Sequence, residues 1–180
     1  MSSFDHGKEF ITGWIHGRFN RGATCLDVGA CDGNWWNRLG DYLTMDAVEI
    51  FQPNIEHNRL DEKYRKVYCS DVSLLEYNWY DLIIFGDVLE HMDVETAQRV
   101  LEYAKPRCRD MVISVPFLYR QGPMYGNQWE AHLQEDLTPE LFDRRYPGFE
   151  IILRPLPNYA YYAKKWEDKN EDNEIRGQKV

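Results

Sequence analysis

The order of apolar and polar positions predicts short buried strands alternating with amphipathic helices. Phe10, Ile11, Trp14 and Ile15 fall at i, i+1, i+4 and i+5, the spacing of one helical stripe, and a helix within residues 1–21 is expected to lie over the mouth of a sheet and cover the site there. Ala23 to Val28 is an apolar run stopped by glycine, the pattern of a strand buried on both faces, and a helix follows from Asn34 to Leu43. The pair recurs as a strand from Met45 to Ile50 and a helix opening near Pro53, a residue suited to a first helical turn. Strands at Lys66 to Cys69 and Tyr80 to Phe85 lead to a helix capped by Asp93, in which Val94, Ala97, Val100, Leu101 and Ala104 recur at helical spacing until Pro106. Asp110 to Pro116 reads as a fifth strand. Phe117 to Leu137 has no period and reads as a long loop, a feature that is commonly functional or mobile. Thr138-Pro139-Glu140 then opens a last helix, and Phe149 to Leu153 with Tyr159 to Ala163 read as an antiparallel hairpin across the link from Pro155 to Asn158.

This alternation is that of an α/β fold: a mainly parallel sheet between two helical layers, with ligands at the carboxyl ends of the strands. At 180 residues the chain suits one domain, assigned to residues 1–166; the charged stretch 167–180, poor in apolar residues, is expected to be disordered. No apolar run approaches the roughly 18 to 20 residues of a membrane-spanning helix, so membrane insertion is not expected. The N-terminus lacks the basic and apolar segments of a secretory signal. Cys25, Cys31, Cys69 and Cys108 form no C-x-x-C pair and no zinc-ligand spacing, and a reducing cytoplasmic setting is expected. With 30 acidic residues against 21 basic ones the net charge is −9, which disfavours nucleic acid as a partner. Nothing in the pattern specifies an oligomeric state.

Candidate chemistry gathers where strands end. The loop Asp27-Val28-Gly29-Ala30-Cys31-Asp32-Gly33 joins the first strand to a helix, and its glycines permit a tight turn and close approach of a ligand to backbone. A carboxylate just before Gly29 would repel a pyrophosphate, whereas a sulfonium and an amino group favour anionic surroundings; the spacing is also G-x-x-x-G and not G-x-G-x-x-G. Glu49, beside Ile50, ends the second strand about 20 residues beyond Gly29, where a carboxylate can accept hydrogen bonds from both hydroxyls of a ribose. Ser70, Asp71 and Val72 follow the third strand, where Asp71 could receive an adenine amino group. Gly86 and Asp87 follow the fourth. Each acid taken alone is more often a solvated strand-end carboxylate or a helix cap.

Taken in order, Leu26-Asp27-Val28-Gly29-Ala30-Cys31-Asp32-Gly33, Val48-Glu49, Ser70-Asp71-Val72 and Phe85-Gly86-Asp87-Val88-Leu89-Glu90-His91 resemble the class I S-adenosylmethionine-dependent methyltransferases, across roughly residues 22 to 165. The resemblance implies a Rossmann-like three-layer sandwich with a seven-stranded, mostly parallel sheet and an antiparallel last strand. It also implies S-adenosylmethionine as methyl donor, bound by Asp27, Gly29, Ala30, Cys31, Gly33, Glu49, Ile50, Ser70, Asp71, Val72, Gly86 and Asp87. The run Asp87-Val88-Leu89-Glu90-His91 is similar to the small-molecule branch that includes quinone-biosynthesis enzymes. Cys31 departs from the family, which has glycine there.

The acceptor is expected to be a small molecule, with a hydroxyl oxygen preferred over nitrogen or carbon. The Asn or Asp, Pro, Pro, aromatic motif of enzymes that methylate adenine or glutamine nitrogen is replaced here by Gly86-Asp87-Val88-Leu89. His132, in the long loop, is the candidate general base, with a structural histidine as the alternative, and His91 is the second catalytic candidate, with packing at the site edge as its alternative. Asp87, Glu90 and His91 could form a metal or acid/base cluster; a required metal is not expected, because the fifth strand ends in Ser114-Val115-Pro116 and offers none of the acidic and amide ligands of the metal-dependent catechol-type enzymes. Phe117, Tyr119, Tyr125 and Trp129 could wall the acceptor. Two rivals stay open: a donor-binding module without turnover, which Cys31 keeps in play, and a nicotinamide dehydrogenase, which shares the position of Glu49.

Overall fold

The computed structural model describes residues 5–165; the tail expected over 167–180 lies outside them. Seven strands, β1 (Thr24–Val28), β2 (Thr44–Glu49), β3 (Lys66–Cys69), β4 (Tyr80–Gly86), β5 (Cys108–Pro116), β6 (Phe149–Leu156) and β7 (Tyr159–Lys164), form one sheet in the order β3-β2-β1-β4-β5-β7-β6. All pairs among β1 to β5 are parallel, and β7 runs antiparallel to both β5 and β6. The helices are α1 (Lys8–Arg18), α2 (Asn34–Leu39), α3 (Gln52–His57), α4 (Leu60–Lys63), α5 (Val94–Ala104) and α6 (Pro139–Arg145). The expected seven-stranded α/β fold with an antiparallel last strand is the fold observed. None of the helices among the described residues is long and apolar enough to cross a membrane.

The three layers follow from strand periodicity. Successive side chains leave a strand on opposite faces. Ile83 and Phe85 of β4 therefore join Met111, Ile113 and Val115 of β5 under Ala97, Val100 and Leu101 of α5 and Phe142 of α6. Leu82 and Ile84 point the other way and meet Ile11 and Ile15 of α1, Leu39 of α2 and Ile55 of α3. Phe142 lies flat on Tyr162 with ring centres 3.7 Å apart, fastening α6 to β7.

Several boundaries differ from the sequence reading for local reasons. The first interstrand helix stops at Leu39: Gly40 still donates to Trp36 O, and the Tyr42 and Leu43 amides then both turn back to Leu39 O as the chain leads into β2. The helix opened by Pro53 divides in two at Arg59, whose φ of 53° breaks the helical path. The final hairpin is tighter than read, since β6 continues through Pro155 to Leu156. α1 lays Ile11 and Ile15 on a face of the sheet and leaves Phe10 largely exposed; no α1 residue lines the main cleft. Its Lys8 is fully buried all the same, with its ammonium 5.3 Å from the centre of the Trp35 ring.

Candidate functional site

β1 and β4 are neighbours, and the chain order proceeds outward from them in both directions, which makes their carboxyl ends the topological switch point of the sheet. A cleft of about 310 Å³ opens there. Gly29 has φ +74°, and a β-carbon on it would lie 2.5 Å from Val88 Cγ2, so only glycine lets the loop after β1 close on the loop after β4.

Of the residues assigned to donor binding, Gly29, Cys31, Glu49, Ile50, Ser70, Asp71, Val72, Gly86 and Asp87 line this cleft. Asp27, Ala30 and Gly33 do not. Ala30 is buried in the core between sheet and helices, and Gly33, at φ +76°, turns the chain into α2. Asp27 lies behind the loop, where its Oδ2 accepts a 2.5 Å hydrogen bond from the Tyr64 hydroxyl while its Oδ1 is buried without a partner. Burial pushes its pKa up to about 7, against the opposing effects of the Tyr64 hydrogen bond and the nearby Lys8 charge.

Glu49 is fixed from two sides. Its Oε2 accepts the Cys31 N–H and its Oε1 accepts the Phe51 N–H, both at 2.8 Å. Each oxygen keeps a further lone pair, so the carboxylate is oriented by backbone and still able to accept from a ligand. Burial raises its pKa, which these two amides partly offset. Cys31 occupies the left-handed region at φ 47°, with its Sγ 3.7 Å from Asn54 Nδ2 and its carbonyl accepting from Asn58 Nδ2. The glycine that the resemblance implies here is thus replaced by a residue that α3 and the turn after it hold in the left-handed conformation. Asp71 spends one oxygen on the Ser73 N–H at the start of a short 3-10 turn.

On the β4 side, Asp87 also has positive φ, 57°, and its Oδ1 accepts from the Ser114 and Tyr159 hydroxyls at 2.8 and 2.6 Å. His91 lines the cleft and His132 does not; their rings meet edge to face with centres 4.7 Å apart. His91 Nδ1 faces Ala131 O at 3.2 Å and His132 Nδ1 faces Tyr119 O at 2.9 Å. A carbonyl only accepts, so each Nδ1 carries the proton and each Nε2 is the basic nitrogen. Burial pushes the His91 pKa down to about 4, which leaves it neutral at pH 7. Among the loop aromatics, Phe117 is core, Tyr125 is exposed, Tyr119 packs on His132 and Trp129 lines the cleft.

Electrostatically the cleft is one-sided. Glu49, Asp71, Asp87, Asp93 and Glu130 line it, and no lysine or arginine does among the described residues. The nearest buried cation is Lys8, which acts on Asp87, Asp32, Asp5 and Asp27 from beyond the lining, while desolvation lowers its own pKa.

No protein-family model matches the sequence, and no curated protein is detectably similar to it. Solved structures are similar. A S-adenosylmethionine-dependent methyltransferase from Clostridium acetobutylicum superposes with a TM-score of 0.69 at 13% identity, over 90% of this chain and 92% of that one. The 1,6-didemethyltoxoflavin-N1-methyltransferase of Burkholderia thailandensis, solved with its acceptor and S-adenosylhomocysteine, superposes with a TM-score of 0.66 at 20% identity, over 91% and 80% of the two chains. The magnesium protoporphyrin IX methyltransferase of Synechocystis PCC 6803, solved with S-adenosylmethionine, gives 0.61 at 14%, over 87% and 77%. The fold is that of the class I methyltransferases.

Within this methyltransferase fold, the strand-end reading missed Lys8, Asn54, Glu130 and Gln134. Lys8 precedes an amphipathic stripe and reads as a solvent-facing charge; its burial depends on Trp35 and on acids from three other segments. Gln134 lies in the aperiodic loop, yet it is buried and makes four hydrogen bonds: to Leu89 O and Met92 O through Nε2, and from Arg145 and the Tyr146 hydroxyl at Oε1. Asn54 was signalled weakly, as the residue following the helix-opening Pro53.

Proposed function

We propose that the chain binds S-adenosylmethionine in this cleft and transfers its methyl group to a hydroxyl of a small-molecule acceptor. The observation that carries this reading is the carboxylate-lined, cation-free cleft at the switch point, which suits a ligand bearing a sulfonium and an ammonium and opposes a pyrophosphate. Gly29, whose φ of +74° shapes the loop bordering the cleft, is a further feature that suits such a donor, and the buried carboxyl of Asp27 lies behind that loop.

Bound there, the donor would supply an electrophilic methyl carbon. Glu49, already oriented by two amides, would accept the ribose hydroxyls, and Asp71 with Val72 would border the adenine. Asp87, which lines the cleft, would hold the amino group by charge, with Asp27 acting from behind the loop. Gly29 and Cys31 line the cleft, so the backbone of this loop would border the donor. In-line transfer depends on alignment of the acceptor lone pair with the breaking bond, so the rate would rest largely on placement. Trp129 gives the acceptor side of the cleft an aromatic wall, and neutral His91 would accept a hydrogen bond, and then the proton, from the acceptor hydroxyl. His132 buttresses the His91 ring edgewise and would act through it.

The test is calorimetric titration with S-adenosylhomocysteine and NAD, followed by transfer of a labelled methyl group to a panel of phenols, alcohols, amines and activated carbon acids. Preference for S-adenosylhomocysteine and labelling of a hydroxyl are expected. Preference for NAD would overturn the donor assignment. Donor binding without transfer to any acceptor would favour a module without turnover, and labelling of nitrogen or carbon would move the acceptor atom.

A further inference from the structure

Behind the cleft, Glu90, His91 and His132 each present one ligand atom, and the three atoms lie within 4.8 Å of one another. Bonds of about 2.0 to 2.2 Å to a common ion would put any two such atoms no more than about 4.4 Å apart, so small side-chain shifts close the site. Glu90 adds an independent observation: its side chain is 1% exposed and neither carboxylate oxygen has a hydrogen-bond partner. A buried carboxylate of this kind needs a donor or a cation. Both imidazoles are preset as well, because each Nδ1–H is turned to a backbone carbonyl, the arrangement that leaves Nε2 free to ligate and fixes the ring.

The scaffold beneath these side chains is tied by backbone. The Glu90 carbonyl accepts the N–H groups of Leu133 and Gln134, and Gln134 Nε2 donates to Leu89 O and Met92 O. The loop carrying His132 is thereby pinned to the turn carrying Glu90 and His91, although His91 and its partner Ala131 are 40 residues apart.

From this arrangement we infer that Glu90, His91 and His132 form a binding site for a first-row divalent transition ion. Two imidazoles and one carboxylate suit Zn²⁺, Co²⁺ or Mn²⁺ better than Mg²⁺ or Ca²⁺, which prefer all-oxygen sets. Three protein ligands leave coordination positions open, and His91 borders the cleft. An acceptor hydroxyl oxygen is the natural occupant of such a position; that extension rests on the methyl-transfer reading, whereas metal binding does not. The ion would then take the lone pair that His91 offers the hydroxyl in the metal-free protein.

The experiment uses full-length protein stripped with EDTA and titrated with Co²⁺, Zn²⁺ or Mg²⁺, followed by calorimetry and, for Co²⁺, by visible absorption. One equivalent of Co²⁺ is expected, with ligand-field bands and no thiolate charge-transfer band, and Zn²⁺ at least tenfold tighter than Mg²⁺. Glu90→Gln and His132→Asn should each weaken Co²⁺ binding at least tenfold while circular dichroism of the metal-free variants stays that of the parent; if one fails to fold, the other and His91→Gln give the readout. No Co²⁺ binding by the parent, a thiolate band, or undiminished binding in the folded variants overturns the site. S-adenosylhomocysteine binding to the stripped protein is the separate arm: its persistence alongside absent metal binding removes the metal site alone, and its loss alongside intact metal binding removes the donor reading alone.

Discussion

The two sides of the cleft solve the burial of carboxylates differently. On the β1–β2 side, Glu49 lies at a strand end within reach of backbone amides at Cys31 and Phe51, so its charge is met by the loop it orders. On the β4 side, Glu90 is buried as deeply but has no hydrogen-bond partner, and what holds its surroundings is a set of long-range bonds from the loop 131–137. The first arrangement is local and self-contained. The second is assembled from distant segments and holds a buried carboxyl group without a partner, whose pKa burial pushes up, an arrangement that is tolerable in a site whose partner is a ligand and costly in one that has none.

The comparison is broken most severely at Gln134. Gln134→Ala removes the clamp between the loop and the turn at Glu90, and it leaves the Tyr146 hydroxyl and two carbonyls with lost bonds. At about 1 to 3 kcal/mol for a buried group left unsatisfied, a loss of roughly 3 to 4 kcal/mol in unfolding free energy is expected by urea denaturation. A loss under about 1 kcal/mol would mean that the loop holds its place without the clamp, and that the β4 side is as local as the β1–β2 side.

On the donor side, Glu49→Ala removes a carboxylate that serves both the loop and the proposed ribose contact. S-adenosylhomocysteine affinity should fall by about 1 to 3 kcal/mol, roughly 5- to 150-fold, in calorimetry. The Cys31 and Phe51 amides would be left without their acceptor, so Glu49→Gln, which keeps one carbonyl oxygen, should lie between the two. Affinity unchanged in Glu49→Ala would remove the residue from the donor site.

This difference between the sides also marks what was legible in the sequence. Strand ends are read from short apolar runs, so Glu49, Asp71 and Asp87 are legible without any knowledge of pairing, and the unbroken apolar run Leu82-Ile83-Ile84-Phe85 fits a strand covered on both faces. Asp93, legible as a cap, accepts a backbone N–H at the start of α5, and Thr138 does the same at the start of α6. Long-range convergence left no such trace. Nothing in an aperiodic loop shows that His132 meets His91 or that Gln134 reaches Leu89, because those contacts are set by where α6 and β7 place the loop's far end. Lys8 was hidden for the same reason: its burial depends on residues in other segments.

Asp27 offers a pH test. Burial raises its folded pKa to about 7, well above the ordinary 3.8, so folding favours its protonated form. Its contribution to stability is fully present below about pH 4 and is lost as pH rises to about 7. Binding a cationic donor favours the carboxylate, so the sign reverses for affinity: S-adenosylmethionine should bind more tightly as pH rises, by at most about tenfold per unit below pH 7, and level off above it. Asp27→Asn should flatten this profile. A parent profile already flat between pH 5.5 and 7.5 would separate Asp27 from the donor.

The smallest effect is expected at Cys31, where the β1–β2 side carries a residue other than the glycine that the methyltransferase resemblance implies. A non-glycine residue in the left-handed region costs about 1 to 2 kcal/mol, which Cys31→Gly would relieve. Glycine also loses roughly 0.5 to 1 kcal/mol more backbone entropy on folding, and the Asn54 contact to sulfur goes with the side chain. These terms oppose one another, so thermal unfolding should shift by less than about 1 kcal/mol equivalent. Donor affinity should change less than in Glu49→Ala, because the group that orders the loop is the Cys31 amide, which glycine retains. Cys31→Val supplies the contrast, since a branched β-carbon is poorly accommodated at positive φ and should destabilise where glycine does not. If glycine instead weakened donor binding as much as loss of Glu49 does, the thiol side chain and not the carboxylate-to-amide bond would be what shapes this side of the cleft.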